Sequence, residues 1–188
     1  MPQEIEIKFA LKDRNALVRR LHDIGAQRLY AETFEDNIVL DRRGELRTKG
    51  ALLRVRKFGR YAIATYKGAV AFEGNVKTRE EVQTGVESFE LAIQLFDSLG
   101  FKPVFRYQKY REVWRVRDVE VVLDRTPIGD YFEIEGQLET IRAVAEELGM
   151  NIDQGIRQSY ADLYRQHRRT RADLPEHMVF PPEQLPSA

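Results

Sequence analysis

Hydrophobic and charged side chains alternate along several short stretches of this chain. In residues 3–10, for example, Ile5, Ile7 and Phe9 alternate with charged residues. Successive side chains of a strand point to opposite faces, so this pattern predicts strands that are apolar on one face and charged on the other. The same rule predicts about eight strands, at residues 3–10, 35–40, 52–58, 62–67, 76–83, 107–116, 119–125 and 131–136.

Amphipathic segments with a helical period interrupt these strands. The first begins at a capping Asp13 and is ended by Gly25, and the second and third are ended by Gly100 and Gly149. The predicted helices cover residues 13–22, 88–99, 140–148 and 158–168.

The last part of the chain has a different character. Residues 169–188 contain four prolines and little periodicity, which favours a mobile or loosely packed segment. We therefore expect one domain over residues 1–168, followed by a Pro-rich, loosely ordered C-terminal tail over residues 169–188.

The charged strand faces can lie in water or can line a cavity. A sheet usually turns its polar face to solvent. Here the opposite faces are apolar and the amphipathic helices are available to cover them, so we expect the helices outside and the charges inside. An interior enclosed by about eight strands holds side chains or one small ligand. The sequence therefore predicts an α+β fold with a closed eight-stranded antiparallel β-barrel and a charged interior.

Charges of both signs in one cavity are costly unless they are paired or bind a ligand. Basic side chains bind phosphate oxygens, and carboxylates hold Mg²⁺ or Mn²⁺. The predicted phosphate-binding residues are Lys8, Arg54, Arg56, Lys67, Arg79, Lys109 and Arg111. The predicted metal ligands are Glu4, Glu6, Glu81, Asp124, Glu133 and Glu135. This mixture suits a polyphosphate that carries a divalent cation.

Composition narrows the class of protein. Lys+Arg and Asp+Glu both number 30, and zero net charge argues against a broad basic face for nucleic acid. The chain has no cysteine, which excludes thiolate metal sites and favours the cytoplasm. The N-terminal sequence lacks the apolar core of a signal peptide, and no apolar run approaches the roughly 20 residues that cross a bilayer. We expect a soluble cytoplasmic protein with a small-molecule ligand and neither nucleic-acid nor membrane partners.

An ordered set of motifs resembles the CYTH family, also called triphosphate tunnel metalloenzymes. The set spans residues 4–164 and includes Glu4-Ile5-Glu6-Ile7-Lys8, Leu53-Arg54-Val55-Arg56, Thr65-Tyr66-Lys67-Gly68, Thr78-Arg79-Glu80-Glu81, Lys109-Tyr110-Arg111, Val122-Leu123-Asp124 and Phe132-Glu133-Ile134-Glu135-Gly136. The family includes class IV adenylate cyclases, thiamine triphosphatases and inorganic triphosphatases. The resemblance implies a triphosphate ligand with Mg²⁺ or Mn²⁺, and a homodimer, because members of the family are often dimers.

Three functions fit these residues. The leading hypothesis is an adenylate cyclase of the class IV type; the second is a triphosphatase acting on inorganic, thiamine or nucleoside triphosphate. The third is a triphosphate- or polyphosphate-binding module without turnover. The predicted catalytic residues are Lys8, Glu6 and Glu135. We expect neighbouring cations to lower the pKa of Lys8, which would suit a general base; its alternative role is a further phosphate ligand.

Overall fold

The structure is a computed structural model that describes residues 3–171 and 173–186. The strands are β1 (Gln3–Ala10), β2 (Gln27–Asp41), β3 (Leu52–Phe58), β4 (Tyr61–Lys67), β5 (Ala71–Glu73), β6 (Val76–Val86), β7 (Lys102–Val116), β8 (Val119–Thr126) and β9 (Gly129–Glu135). The α-helices are α1 (Arg14–Asp23), α2 (Glu45–Thr48), α3 (Phe89–Ser98), α4 (Leu138–Glu147) and α5 (Tyr160–Thr170). None of the helices described is long and apolar enough to span a membrane.

Eight of the strands close into a barrel. They follow the order β1-β9-β8-β7-β2-β3-β4-β6, and a pairing between β1 and β6 completes the ring. Every pairing between these strands is antiparallel. The short β5 adds to β6 beside the ring. The prediction of an α+β fold with a closed eight-stranded antiparallel barrel is confirmed.

Two strands are much longer than the alternation indicates. Strands β2 and β7 have 15 residues each and pair with one another, whereas the pattern predicts only residues 35–40 and 107–116. Their pairing contains three register shifts, and each shift breaks the period of two on which the prediction depends. The first six residues of β2 are also exposed, so no apolar face marks them.

Apolar strand faces pack against helices on the outside of the barrel. Helices α1 and α4 cover one side, where the core is formed by buried residues that include Ile7, Leu21, Trp114, Leu123, Ile134, Ile141 and Val144. Helix α3 covers a second core around Leu53 and Val55 of β3. Because Arg54 and Arg56 alternate with these two residues, their side chains point to the opposite face, into the barrel.

The segment after α5 packs on the barrel, which differs from the prediction of a loosely packed tail. Met178 is fully buried, and its carbonyl accepts a 2.8 Å hydrogen bond from the amide of Gln108. The Tyr164 hydroxyl donates to the carbonyls of Pro175 and His177, at 2.8 and 2.9 Å. A few isolated apolar residues without a period give no sequence signal for this packing. Residues 172, 187 and 188 lie outside the described part of the chain, and the domain boundary at residue 169 stays a prediction.

Replacing Met178 by Ala tests this packing. Truncating a fully buried Met leaves a cavity, so we expect the free energy of unfolding to fall by about 2–4 kcal/mol. Leu185→Ala is the control, because Leu185 is 39% exposed and its truncation should cost less than about 0.5 kcal/mol. Urea denaturation of both variants measures the difference, and equal small losses would contradict the packing.

Candidate functional site

The charged strand faces enclose a cavity of about 610 Å³ inside the barrel. Every predicted site residue except Asp124 lines it, and Asp124 is fully buried beside it, with its carboxylate bound to Lys109 and Arg111. The strand pattern therefore brings the candidate residues together as predicted. Their individual roles stay predictions.

Three carboxylates converge on one wall of the cavity. Glu4, Glu81 and Glu135 each offer an oxygen, and these oxygens lie within 4.8 Å of one another. They come from β1, β6 and β9, and β1 pairs with both of the other strands. Carboxylate oxygens at this spacing suit a hard divalent cation.

Glu135 differs from its neighbours because no ion pair within the described residues neutralises it. Glu4 accepts hydrogen bonds from Lys67 and, at 2.7 Å, from Arg79, and Lys67 also lies 3.0 Å from Glu81. Burial, together with the negative charges of Glu4 and Glu6, raises the pKa of Glu135 to about 7. A bound cation would relieve this repulsion, so the residues present fit a metal ion.

A second group of carboxylates is already occupied by basic side chains. Asp124 accepts hydrogen bonds from Arg111 at 2.6 and 2.7 Å and from the Tyr160 hydroxyl at 2.7 Å. Glu133 accepts from Lys8 and, at 2.7 Å, from Arg111. Burial opposes the charge of Glu133, but Lys8 and Arg111 outweigh it and hold its pKa well below the usual value. This group fixes the positions of its basic partners inside the barrel.

Lys8 does not have the lowered pKa that the sequence predicts. Burial does disfavour its charge, but the carboxylates of Glu133, Glu6 and Asp124 outweigh burial and raise its pKa. Its ammonium also lies 4.0 Å from the centre of the Tyr160 ring. The expectation was wrong because the immediate neighbours of Lys8 are anions, which alternation along separate strands does not reveal. A protonated Lys8 fits a phosphate ligand better than a general base.

Two arginines keep unused hydrogen-bond donors within the cavity. The Nε groups of Arg54 and Arg56 are buried and have no hydrogen-bond partner among the described residues. Arg54 donates from Nη1 to the Tyr107 hydroxyl at 3.0 Å, and the ion pair of Arg56 with Glu35 is 3.6 Å long. A buried donor without a partner carries a desolvation cost that a ligand oxygen would offset.

The structure adds Glu35, Lys77 and Tyr107 to the cavity. Glu35 is fully buried and lies 3.4 Å from Lys109, and Lys77 binds Glu6. Lys77 shares a strand face with Arg79 and Glu81, so the alternation that selected those two residues could have found it. Glu35 is the first residue of the predicted strand 35–40. Charged residues do not alternate clearly along this strand, so the pattern did not identify Glu35 as a residue of the cavity.

The pKa of Glu135 gives a stability prediction. The pKa of Glu135 rises from 4.5 to about 7 on folding, so the folded state favours the protonated carboxyl. The free energy of unfolding therefore falls as the pH rises from about 4.5 to 7, because the carboxyl must then ionise in the folded protein. A neutral Gln has no such loss. We expect Glu135→Gln to be more stable than the unaltered protein by about 1–3 kcal/mol at pH 8 in the absence of metal, with a much smaller difference at pH 5. Thermal unfolding in EDTA measures it, and a difference independent of pH would contradict the assignment.

Known proteins resemble this chain over most of its length. A family model described as the CYTH domain matches residues 2–162. A protein of Methanocaldococcus jannaschii named "Putative adenylate cyclase" is 30% identical over 174 residues, which cover 85% of this chain and 97% of that protein.

Solved structures share the fold. A "putative adenylate cyclase" from Vibrio parahaemolyticus has a TM-score of 0.76 at 17% identity, covering 86% of this chain and 97% of that one. The Hippeastrum protein HpAC1, named a "putative adenylyl cyclase" with a dominant triphosphatase activity, has a TM-score of 0.67 at 17% identity, covering 87% of this chain and 96% of that one. The family model, the curated relative and the barrel agree with the resemblance read from the motifs. The chain therefore belongs to the CYTH domain family.

Proposed function

We propose that this chain is a metal-dependent enzyme that acts on a triphosphate inside the barrel, and that it converts ATP to cyclic AMP and pyrophosphate. One observation carries the proposal: two Nε groups without a hydrogen-bond partner among residues 3–171 and 173–186, those of Arg54 and Arg56, lie in the same cavity as three converging carboxylates. These carboxylates belong to Glu4, Glu81 and Glu135. Donors for phosphate oxygens and ligands for a cation are thus available side by side.

The basic side chains of the cavity have two different roles in the proposed reaction. Arg54 and Arg56 bind phosphate oxygens with donors that no described residue occupies, and a guanidinium can do so in a bidentate manner. Lys8 and Arg111 stay protonated between the carboxylates and face the same space. Buried charges held in place by other residues stabilise developing negative charge without reorganising first.

The carboxylates would hold Mg²⁺ or Mn²⁺ at Glu4, Glu81 and Glu135. The bound ion would neutralise phosphate charge and make a coordinated hydroxyl more acidic. Fixing these three carboxylates on neighbouring strands keeps them close together before any ligand arrives.

The bond changes of the proposed reaction are simple. The 3′-oxygen of ATP forms a bond to the α-phosphorus, and the bond from this phosphorus to the oxygen bridging to the β-phosphate breaks. Pyrophosphate leaves with the electron pair, and the 3′-hydroxyl proton is released to solvent. Lys8 is a poor acceptor for that proton because its pKa is raised. The name of the relative that is 30% identical supports cyclisation as the first candidate.

Hydrolysis is the second candidate. The Hippeastrum protein, which shares this fold, is described with a dominant triphosphatase activity. In that reaction water attacks the terminal phosphorus, and the same arginines and carboxylates would serve. The two reactions differ in which phosphorus faces the nucleophile.

Product analysis separates these candidates. The purified protein is incubated with ATP and either Mg²⁺ or Mn²⁺, and cyclic AMP, pyrophosphate and orthophosphate are quantified. We expect equal amounts of cyclic AMP and pyrophosphate, and no product in EDTA. Orthophosphate alone would favour the triphosphatase, and tight binding without any product would favour a binding module. An Arg56→Ala preparation controls for contaminating enzymes.

A further inference from the structure

The hydroxyl of Tyr107 is a hydrogen-bond donor of the cavity to which the proposed reaction gives no role. Tyr107 lies on β7 two residues before Lys109, so the two side chains share the inward face of the strand, and both line the cavity. The Tyr107 oxygen accepts a 3.0 Å hydrogen bond from Nη1 of Arg54. The proton of the hydroxyl must therefore point away from Arg54.

No group within residues 3–171 and 173–186 accepts this proton in a hydrogen bond. A second tyrosine of the cavity differs in this respect, because the Tyr160 hydroxyl donates to Asp124 at 2.7 Å. A donor that is withdrawn from water without gaining a partner lowers stability. An acceptor on a ligand would offset this cost at Tyr107, whereas the proton of Tyr160 is already bound.

The charges around Tyr107 favour an anionic acceptor. Burial raises the pKa of Tyr107, and the nearby Glu35 adds to this effect. Arg54 and Lys109 outweigh both and hold the pKa of the hydroxyl below its usual value. Arg54, Tyr107 and a phosphate oxygen would form a chain of hydrogen bonds in which each bond polarises the next. A phosphate oxygen therefore suits this hydroxyl better than a neutral acceptor does.

The position of Tyr107 is fixed by its own neighbours. Its ring stacks on Phe105, with centroids 6.0 Å apart and planes at 23°. Its carbonyl accepts a 3.3 Å hydrogen bond from the Asn37 side chain, and its backbone forms a parallel bridge with Met178. A donor held in this way loses little freedom when a ligand binds, so more of the interaction energy contributes to affinity.

We propose that the Tyr107 hydroxyl donates a hydrogen bond to the phosphate oxygen that Arg54 binds, and that Tyr107 is a further substrate-binding residue of the site. This inference rests on the proposed function, because it takes Arg54 as a phosphate ligand. It applies to cyclisation and to hydrolysis, since both reactions place the triphosphate at Arg54. The competing role for Tyr107 is to hold Arg54 in position without contacting the ligand.

A double-mutant cycle separates direct binding from support of Arg54. The four proteins are the unaltered chain, Tyr107→Phe, Arg54→Met and the variant with both changes. Phe keeps the ring of Tyr107 and removes only the hydroxyl, and Met fills the space of a buried charge with an apolar chain. Calorimetry measures the dissociation constant of a non-hydrolysable ATP analogue with Mn²⁺. Tyr131→Phe is the matched control, because Tyr131 is also half-buried but is absent from the cavity lining.

We expect Tyr107→Phe to weaken binding by about tenfold or more in the unaltered chain, and still by about threefold or more when Arg54 is absent. The control should bind within about twofold of the unaltered protein. No weakening, or a weakening that disappears in the Arg54→Met background, would overturn the inference and leave the proposed function standing. Failure of the unaltered protein to bind the analogue would instead reject the proposed function and this inference with it.

A second measurement needs no variant. In a crystal structure of the unaltered protein with the same ligand and Mn²⁺, we expect the Tyr107 oxygen to lie within about 3 Å of a phosphate oxygen. A bound triphosphate that contacts Arg54 but leaves the Tyr107 hydroxyl without a phosphate contact would overturn the inference as well.

Discussion

Replacing Arg56 by Ala is expected to lower turnover of the metal-bound triphosphate by about 10³-fold. The buried Nε of Arg56 has no hydrogen-bond partner in the part of the chain that the structure describes, and the carboxylate of Glu35 is 3.6 Å away. Most of the hydrogen-bonding capacity of Arg56 is therefore left for the ligand. Two hydrogen bonds to a charged partner contribute about 1.5–3 kcal/mol each, and their loss gives an effect of this size. The folding temperature should change little, because the Arg56 side chain is 16% exposed and Glu35 keeps Lys109 as an ion-pair partner after the change.

Two further variants make this prediction specific. Lys57→Ala changes the neighbouring residue on the outer face of β3, where the side chain is exposed, and should leave turnover within about twofold. Arg56→Lys keeps the charge but not the planar fork, and should recover only part of the activity. Steady-state kinetics measure all three. Full activity of a folded Arg56→Ala protein would show that Arg56 does not bind the substrate.

Replacing Glu81 by Gln is expected to lower metal-dependent turnover by about 10²-fold or more. The change removes one charged oxygen from the three that lie within 4.8 Å of one another. Lys67 keeps its second partner, Glu4, so the change leaves no lysine unpaired. Because the lost interaction is with the cation, the Mn²⁺ concentration needed for half-maximal activity should rise, and high Mn²⁺ should restore part of the rate.

The adjacent residue supplies the control for this prediction. Glu80 precedes Glu81 on β6 and points to the opposite face of the strand, outside the cavity lining. Glu80→Gln should therefore show the unaltered Mn²⁺ dependence. Superimposable metal titrations for the two variants would argue that Glu81 is not a metal ligand.

The sequence predicts which strand faces line the cavity because alternation has a direct geometric meaning. Leu53 and Val55 pack under α3, and the intervening Arg54 and Arg56 must then point inward. The same logic places Glu133 and Glu135 inside on either side of the buried Ile134. Because the strands close into a barrel, the inward-facing side chains of separate strands all line the same cavity.

The pairing between those side chains could not be predicted in the same way. Glu133 and Glu135 are two residues apart on one strand face, yet Glu133 binds Lys8 and Arg111 whereas Glu135 lies near Glu4 and Glu6. Which partner each residue meets depends on the register and tilt of neighbouring strands, and a single strand's pattern contains neither. The expected pKa shift of Lys8 had the wrong sign for this reason. The register shifts between β2 and β7 likewise interrupt the alternation, so the hydrophobic pattern does not reveal the full length of these two strands.

A crystal structure with Mn²⁺ and a non-hydrolysable ATP analogue, with anomalous scattering used to locate the metal, tests the proposed site directly. We expect an anomalous peak bound by oxygens of Glu4, Glu81 and Glu135, with phosphates hydrogen-bonded to Arg54 and Arg56. Metal and phosphates bound on the outer surface, with the cavity holding only water, would contradict it.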